Sequence, residues 1–300
     1  MSENAKLLYN GKEFELPLIH GTEDEVAIDI RSLRNDSGLI AFDPGLGNTG
    51  SCKSKITFID GAKGVLRYRG IPLEAIESHP NFVEVAWLLI FGSLPTRAEY
   101  QRFSRSLTET ANIDEDMKHH FTGFPRSAPP MAELSAMLST LSCFHPEFLE
   151  VEDPCEVEQV AARLISKVRT LAAYAYRRSR GLPYNYPDPS LPYVANFLHM
   201  MFSKPYQQYI LDEEVMSALN MLLILHADHE QNCSTSTVRM VGSSGANLFA
   251  SCAAGVSALW GPLHGGANVA VIEMLEAVSY THLTLPTTIG WWRSGGGAGR

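Results

Sequence analysis

The chain has no excess of positive charge. Its 24 Lys and Arg stand against 33 Asp and Glu, a formal net charge of -9, and a nucleic-acid binder would normally show a basic face. The one local exception, Arg177, Arg178 and Arg180 ahead of Gly181, reads as the cationic end of a helix; anion binding is the weaker alternative. Paired cysteines are missing too. The five cysteines are scattered and include no CxxC, which excludes a disulfide framework or zinc knuckle and points to a reducing cytoplasm. The N-terminus, MSENAKLLYNGKEFELP, lacks a basic stretch followed by an apolar run, so no secretory signal is expected. No spanning segment is expected either. Arg239 to Glu273 contains no charged residue between its ends, but Gly, Ser, Ala and Asn fill it and Pro262 and His264 interrupt it, whereas a span wants about 20 predominantly apolar residues. There is no GxxxxGK[ST] loop and no GxSxG elbow. Gly45–Gly50 spells GxGxxG, yet a polar loop precedes it and a strand-like segment follows, so it reads as a turn rather than a dinucleotide site.

What is present is a globular composition, 45% apolar, long enough for one large or two medium domains. Residues 1–60 form a β-rich region, with strands expected at Glu13–Leu18, Glu25–Asp29 and Lys55–Asp60. Residues 61–277 are helical. The pattern predicts helices at Phe82–Phe91, Thr96–Thr110 with Thr96 as N-cap, Met131–Phe144, Pro154–Arg180 with Asp153 as N-cap, and Val194–Phe202. It continues at Asp212–His226, Ser234–Val241, Asn247–Trp260 and Ala267–Ala277. The run Ala218–Leu225 is nearly all apolar, which predicts a helix buried on most sides. Residues 278–300, VSYTHLTLPTTIGWWRSGGGAGR, drift into a Gly-rich ending that is expected to be disordered and non-native. The fold class is therefore mainly α, multi-helical, with a small β-rich N-terminal region.

Two places carry candidate chemistry. His226-Ala227-Asp228-His229-Glu230 closes an apolar helix, and His226 and His229, three apart, are expected on one helix face. Residue types alone rank a hydrogen-bonded histidine pair capping the helix first, an anion-substrate site second and a metal site last. His264 lies among Gly261, Pro262, Gly265 and Gly266, just before a helix start. Glycines there permit close approach of a ligand, and the helix N-terminus supplies free N–H groups and a field that disfavours imidazolium. A neutral ring could donate a hydrogen bond to a substrate carbonyl; an ordinary loop histidine is the equal alternative.

LHADHEQNCSTSTVR at 225–239 and GSSGANLFASCAAGVSALWGPLHGGAN at 242–268 closely resemble citrate synthase. SKITFIDGAKGVLRYRGIPLEAI at 54–76, EVAWLLIFGSLPT at 84–96 and NYPDPSLPYVANFLHMMF at 185–202 resemble the same family. The resemblance covers about residues 1 to 277, and the β-rich N-terminus is similar to the bacterial type II, hexameric class. It implies a helical large domain with the small domain missing, so that the chain is expected to be C-terminally truncated. It implies condensation of acetyl-CoA with oxaloacetate to citrate and CoA, at the entry to the tricarboxylic acid cycle, without metal or other cofactor. His264 falls at the position that hydrogen-bonds the thioester carbonyl, His229 at one that binds oxaloacetate, Asn232 in the same pocket. Ser234 falls at a position that orients the catalytic imidazole, and His226 in a supporting place. The aspartate that removes the methyl proton, the histidine that polarises the ketone and the carboxylate-binding arginines belong to family sequence beyond the resembling part, so the chain is expected not to turn over.

Arg163 and Lys167 match positions that contact NADH, an allosteric ligand in some members, but His145 and Tyr206 depart from that pattern. A solvated helix face is the alternative for Arg163 and Lys167. The family implies a homodimer or hexamer, with no nucleic-acid or membrane partner. Competing readings are 2-methylcitrate synthase, a metal-dependent helical hydrolase using His226, His229 and Glu230, and a non-catalytic assembly module.

Overall fold

The computed structural model describes residues 3–77, 81–151, 153–207 and 209–284. The chain forms two compact units, Met1–Lys55 and Ile56–Arg300.

In the first unit β1 (Asn4–Tyr9), β2 (Lys12–His20) and β3 (Val26–Ile28) make an antiparallel sheet in that order. The β1–β2 connection is Asn10-Gly11, both at positive φ (51° and 72°), the pair a two-residue type I′ hairpin requires. Strand β1 was not predicted from sequence, and α1 (Leu33–Ser37) is also additional. The GxGxxG segment is a turn, as expected: the Asp43 carboxylate accepts from Gly47 N, Asn48 N and the Thr49 hydroxyl (3.2, 2.8 and 2.6 Å).

The second unit opens with a small antiparallel sheet, β4 (Thr57–Asp60), β5 (Val65–Tyr68) and β6 (Ile71–Pro72), with β4 and β6 at its edges. Because β4 pairs with β5, the β-rich stretch read as 1–60 divides at Lys55. Helices follow: α2 (Leu73–Glu77), α3 (Phe82–Phe91), α4 (Arg97–Glu109), α5 (Met117–Thr122), α6 (Pro130–Phe144), α7 (Pro154–Ser179), α8 (Tyr193–Phe202), α9 (Glu213–Leu225), α10 (Cys233–Gly242), α11 (Leu248–Leu259) and α12 (Gly266–Thr284). Their ends are written in side chains. Thr96 and Glu99 close a reciprocal capping box on α4, Asp153 accepts from Cys155 N ahead of α7, and Gly92 ends α3 in the left-handed region. The principal core lies among α5, α6, α7 and α11, where Met117, Phe121, Leu141, Val160, Leu171 and Phe249 are fully buried.

Three expectations are corrected. Helix α9 is not buried on most sides: Ile224 is its one buried residue, and Leu222 is 51% exposed. It packs against α3 and α8, and an apolar run does not by itself say how many faces have neighbours. Helix α12 does not end at Ala277 but continues to Thr284, because no glycine or proline interrupts the chain before Pro286. The expected disordered tail is therefore helical over 278–284; residues 285–300 lie outside those described. Nor does α12 bury its apolar residues: Val269, Ile272 and Leu275 are exposed. The small residues of α10 and α11 do what was expected of them, since a Cβ at Gly255 would meet Val238 at 2.5 Å. Among the described residues no helix is long and apolar enough to cross a membrane.

Candidate active site

The last turn of a helix leaves carbonyls without intrahelical partners. At the end of α9 two imidazoles take them. His226 Nδ1 lies 2.8 Å from Leu222 O, and His229 Nε2 lies 2.9 Å from Leu225 O. The rings stack, with centroids 6.0 Å apart and planes 21° from parallel. The pairing came from a different geometry than the spacing suggested. Helix α9 stops at Leu225, so the histidines do not share a helix face; a turn brings them together. The capping reading describes both rings. Glu230 is committed elsewhere, its Oε1 accepting from Ile59 N at 2.7 Å, and among the described residues no group of three His, Cys, Asp or Glu is placed to hold an ion.

Asn232 is the N-cap of α10. Its Oδ1 accepts from Thr235 N at 2.9 Å and lies 2.8 Å from Ser234 Oγ, while Nδ2 reaches toward His229 O at 3.5 Å. Its amide thus ties the histidine turn to the start of α10.

The third element is the turn between α11 and α12. His264 N and Gly265 N both donate to Gly261 O (3.0 and 2.9 Å). A Cβ at residue 265 would fall deep inside the Leu259 carbonyl oxygen, so only glycine lets the chain turn this closely. The half-buried His264 ring then points Nε2 at Ser234, 3.3 Å from its backbone N and 3.0 Å from its hydroxyl. A backbone N–H can only donate. Nε2 therefore presents its lone pair, and the ring proton resides on Nδ1. The Ser234 hydroxyl has one proton to share between His264 and Asn232. His226 Nε2 also lies 3.2 Å from Asn268 Oδ1 in the first turn of α12. The His229 carbonyl, Asn232, Ser234 and His264 thus form one polar chain from the turn after α9 through the start of α10 to the turn before α12, and His226 joins it through its stacking on His229. A cavity of about 360 Å³ between α3, α4, α8 and α9 contains none of them.

The pair on α7 sits apart from this chain. Lys167 is only 5% exposed, so the solvated-face reading is corrected for it: Nζ donates to the Asn112 carbonyl, and burial, with the Arg163 charge second, pulls its ammonium down to about 8. The Arg163 guanidinium lies over the Phe148 ring at 4.6 Å. Nearby, His145 stacks against Phe249 and lies 3.3 Å from Glu147, and burial with the Lys167 charge lowers its proton affinity. Sequence reasoning missed the supports of the site, Tyr68, Ile59 and Asn268. Tyr68 is fully buried and donates to Ile224 O at 2.8 Å, across a separation that no local pattern signals.

Residues 45–289 match the family model described as citrate synthase, C-terminal domain. The chain belongs to the citrate synthase family. It is 49% identical over 276 residues to citrate synthase 1 of Mycobacterium tuberculosis, covering 92% of this chain and 64% of that protein. Against the citrate synthase of Corynebacterium glutamicum it is 48% identical over 281 residues, 94% of this chain and 64% of that protein. Its fold matches a ternary complex of carboxymethyl coenzyme A and oxaloacetate with citrate synthase from Thermoplasma acidophilum, with TM-score 0.72 and 28% identity over 78% of this chain and 60% of that one. The mainly helical fold with small antiparallel sheets is thus a citrate synthase fold, and the chain spans 64% of the length of these curated relatives.

Proposed function

We propose that the protein to which this chain contributes condenses acetyl-CoA with oxaloacetate, and that His264 is the residue meeting the thioester. The observation that carries this is the contact of Ser234 N with His264 Nε2 at 3.3 Å. It fixes the tautomer and leaves Nδ1–H to donate. As a base withdraws the methyl proton, charge moves onto the thioester oxygen; a donor already aimed there stabilises the enol or enolate without reorganising, and such donors are worth about 3–4 kcal/mol. The nucleophilic carbon then attacks the ketone of oxaloacetate, and hydrolysis of citryl-CoA releases CoA.

His229 is proposed to contact oxaloacetate through Nδ1, because Nε2 already serves Leu225 O. With Nε2 turned to the Leu225 carbonyl, Nδ1 is the ring nitrogen left to face a ligand. Asn232 holds this turn against Ser234, and His226 braces it against α12. The occupied relative from Thermoplasma acidophilum, which holds a CoA analogue and oxaloacetate, supports the pairing of substrates.

The 300-residue chain alone is proposed not to turn over, since the family's base aspartate, ketone-polarising histidine and carboxylate-binding arginines find no match in it; a missing general base costs roughly 10²–10⁴-fold by itself. The intact protein is proposed to assemble as a homodimer or hexamer of the type II class. Of the two residues at NADH-contact positions, buried Lys167 is already spent on Asn112, which leaves Arg163 as the one to test by comparing NADH binding before and after Arg163→Ala.

The test is titration of the chain with carboxymethyl-CoA while following the His264 imidazole nitrogens by NMR, beside a separate assay of CoA thiol release from acetyl-CoA plus oxaloacetate. A shift of Nδ1 with Nε2 unmoved is expected, with no thiol released. An unresponsive His264 would overturn its role, and measurable release would overturn the need for the unmatched groups.

A further inference from the structure

Glu230 is one residue from His229 and takes no part in the polar chain above. Its backbone sits at φ 58°, in the left-handed region that residues with side chains rarely occupy. A glycine would rest there without strain, so the side chain is what this position needs. Its Oε1 accepts from Ile59 N at 2.7 Å, a charge-assisted bond to the β4 edge. The same turn is fixed from within, as Glu230 N donates to Asp228 Oδ2 at 3.2 Å.

The other end of the turn is held by the same small sheet. Tyr68, on β5, donates to Ile224 O, and Ala227 packs against the buried cluster of Tyr68, Val85, Leu88 and Ile224. His229 therefore hangs between two pins, one at residue 224 and one at residue 230, both anchored in the β4–β5 hairpin. Both pins bear on His229 through the turn.

We propose that Glu230 is a positioning residue, whose clamp on the Ile59 amide sets the angle of the His229 ring and keeps Nδ1 facing outward. Its importance for turnover rests on the reading of His229 as an oxaloacetate contact; the clamp itself does not.

The experiment uses the 300-residue chain with ¹⁵N-labelled histidine and amide hydrogen exchange. Wild type should show His229 with its proton on Nε2 and a protected Ile59 amide. In Glu230→Ala, Ile59 should exchange faster by roughly tenfold, and the His229 ring signals should average between tautomers while those of His264 stay put. Glu230→Gln, which keeps an acceptor oxygen, should restore both. Should Glu230→Ala fail to fold, Glu230→Met keeps the bulk without the acceptor and carries the same comparison. A His229 ring unchanged in the acceptor-less variant overturns the proposal, whatever happens to the melting point. Oxaloacetate added to wild type separates the two ideas: an unmoved His229 would sink the substrate reading and leave the positioning result intact.

Discussion

The second unit uses one device in two settings. Around α6 and α7, cationic side chains reach backbone carbonyls inside a close-packed core. Arg177 is fully buried and donates to the carbonyls of Pro183, Met201 and Ser203, and Arg178 bridges Glu133 and the Phe124 carbonyl. At the end of α9, imidazoles reach the carbonyls of Leu222 and Leu225 in the same way, but at the surface, on a helix with one buried residue. The first setting holds the unit together. The second fixes angles between elements that bury little, so its geometry can be changed without unfolding the core.

That contrast can be broken most directly by a matched pair of substitutions. Leu141 is fully buried in α6 and Leu275 is 54% exposed in α12. Leu141→Ala should cost about 2–5 kcal/mol and Leu275→Ala no more than about 0.5 kcal/mol, both read from denaturant midpoints. Equal losses would mean that α12 has a packing partner in solution and that the two regions differ less than described.

A pH series sharpens the same comparison at Lys167. Its ammonium is held down to about 8 from an ordinary 10.5, so between these values the unfolded chain carries the extra proton. Stability contributed by this group is present above 10.5 and is lost as pH falls through 8. Wild type minus Lys167→Met should therefore gain about 3 kcal/mol from pH 8 to 10.5. A flat difference would show that the ammonium is hydrated and that α7 is more open than its burial indicates.

The smallest effect is expected in the site itself. Gly265→Ala forces a Cβ against the Leu259 carbonyl and should cost about 1–3 kcal/mol, with the core transition otherwise preserved. Its readout is the His264 Nε2 signal, which should lose the Ser234 contact. An unaltered signal would show that the turn can shift without moving the ring.

Much of this organisation is legible in the sequence because its signals are local. Helix α3 was placed at Phe82–Phe91 and lies there, bounded by a cap and a breaker. Thr96 and Asp153 announce α4 and α7 by chemistry that acts over a few residues. Helix α5 was missed because MKHHFT is short and polar in appearance, and only tertiary contacts bury Met117 and Phe121. In the site, His264 and the histidine pair were legible as residues, and glycines marked the turn. Their partners were not: Ser234 is 30 residues from His264, and Ile59 is 171 from Glu230.

The sequence by itself determined the helical class, the caps and breakers that bound most helices, and which polar side chains lie in the turns around His229 and His264, since these depend on propensity and side-chain type within a turn or two. Tertiary structure alone decided which face of α9 is covered, which imidazole nitrogen of His264 meets the Ser234 amide, and that Glu230 accepts from the Ile59 amide. Those outcomes depend on which donor meets which acceptor across long stretches of chain, and only the folded backbone brings them within hydrogen-bond reach.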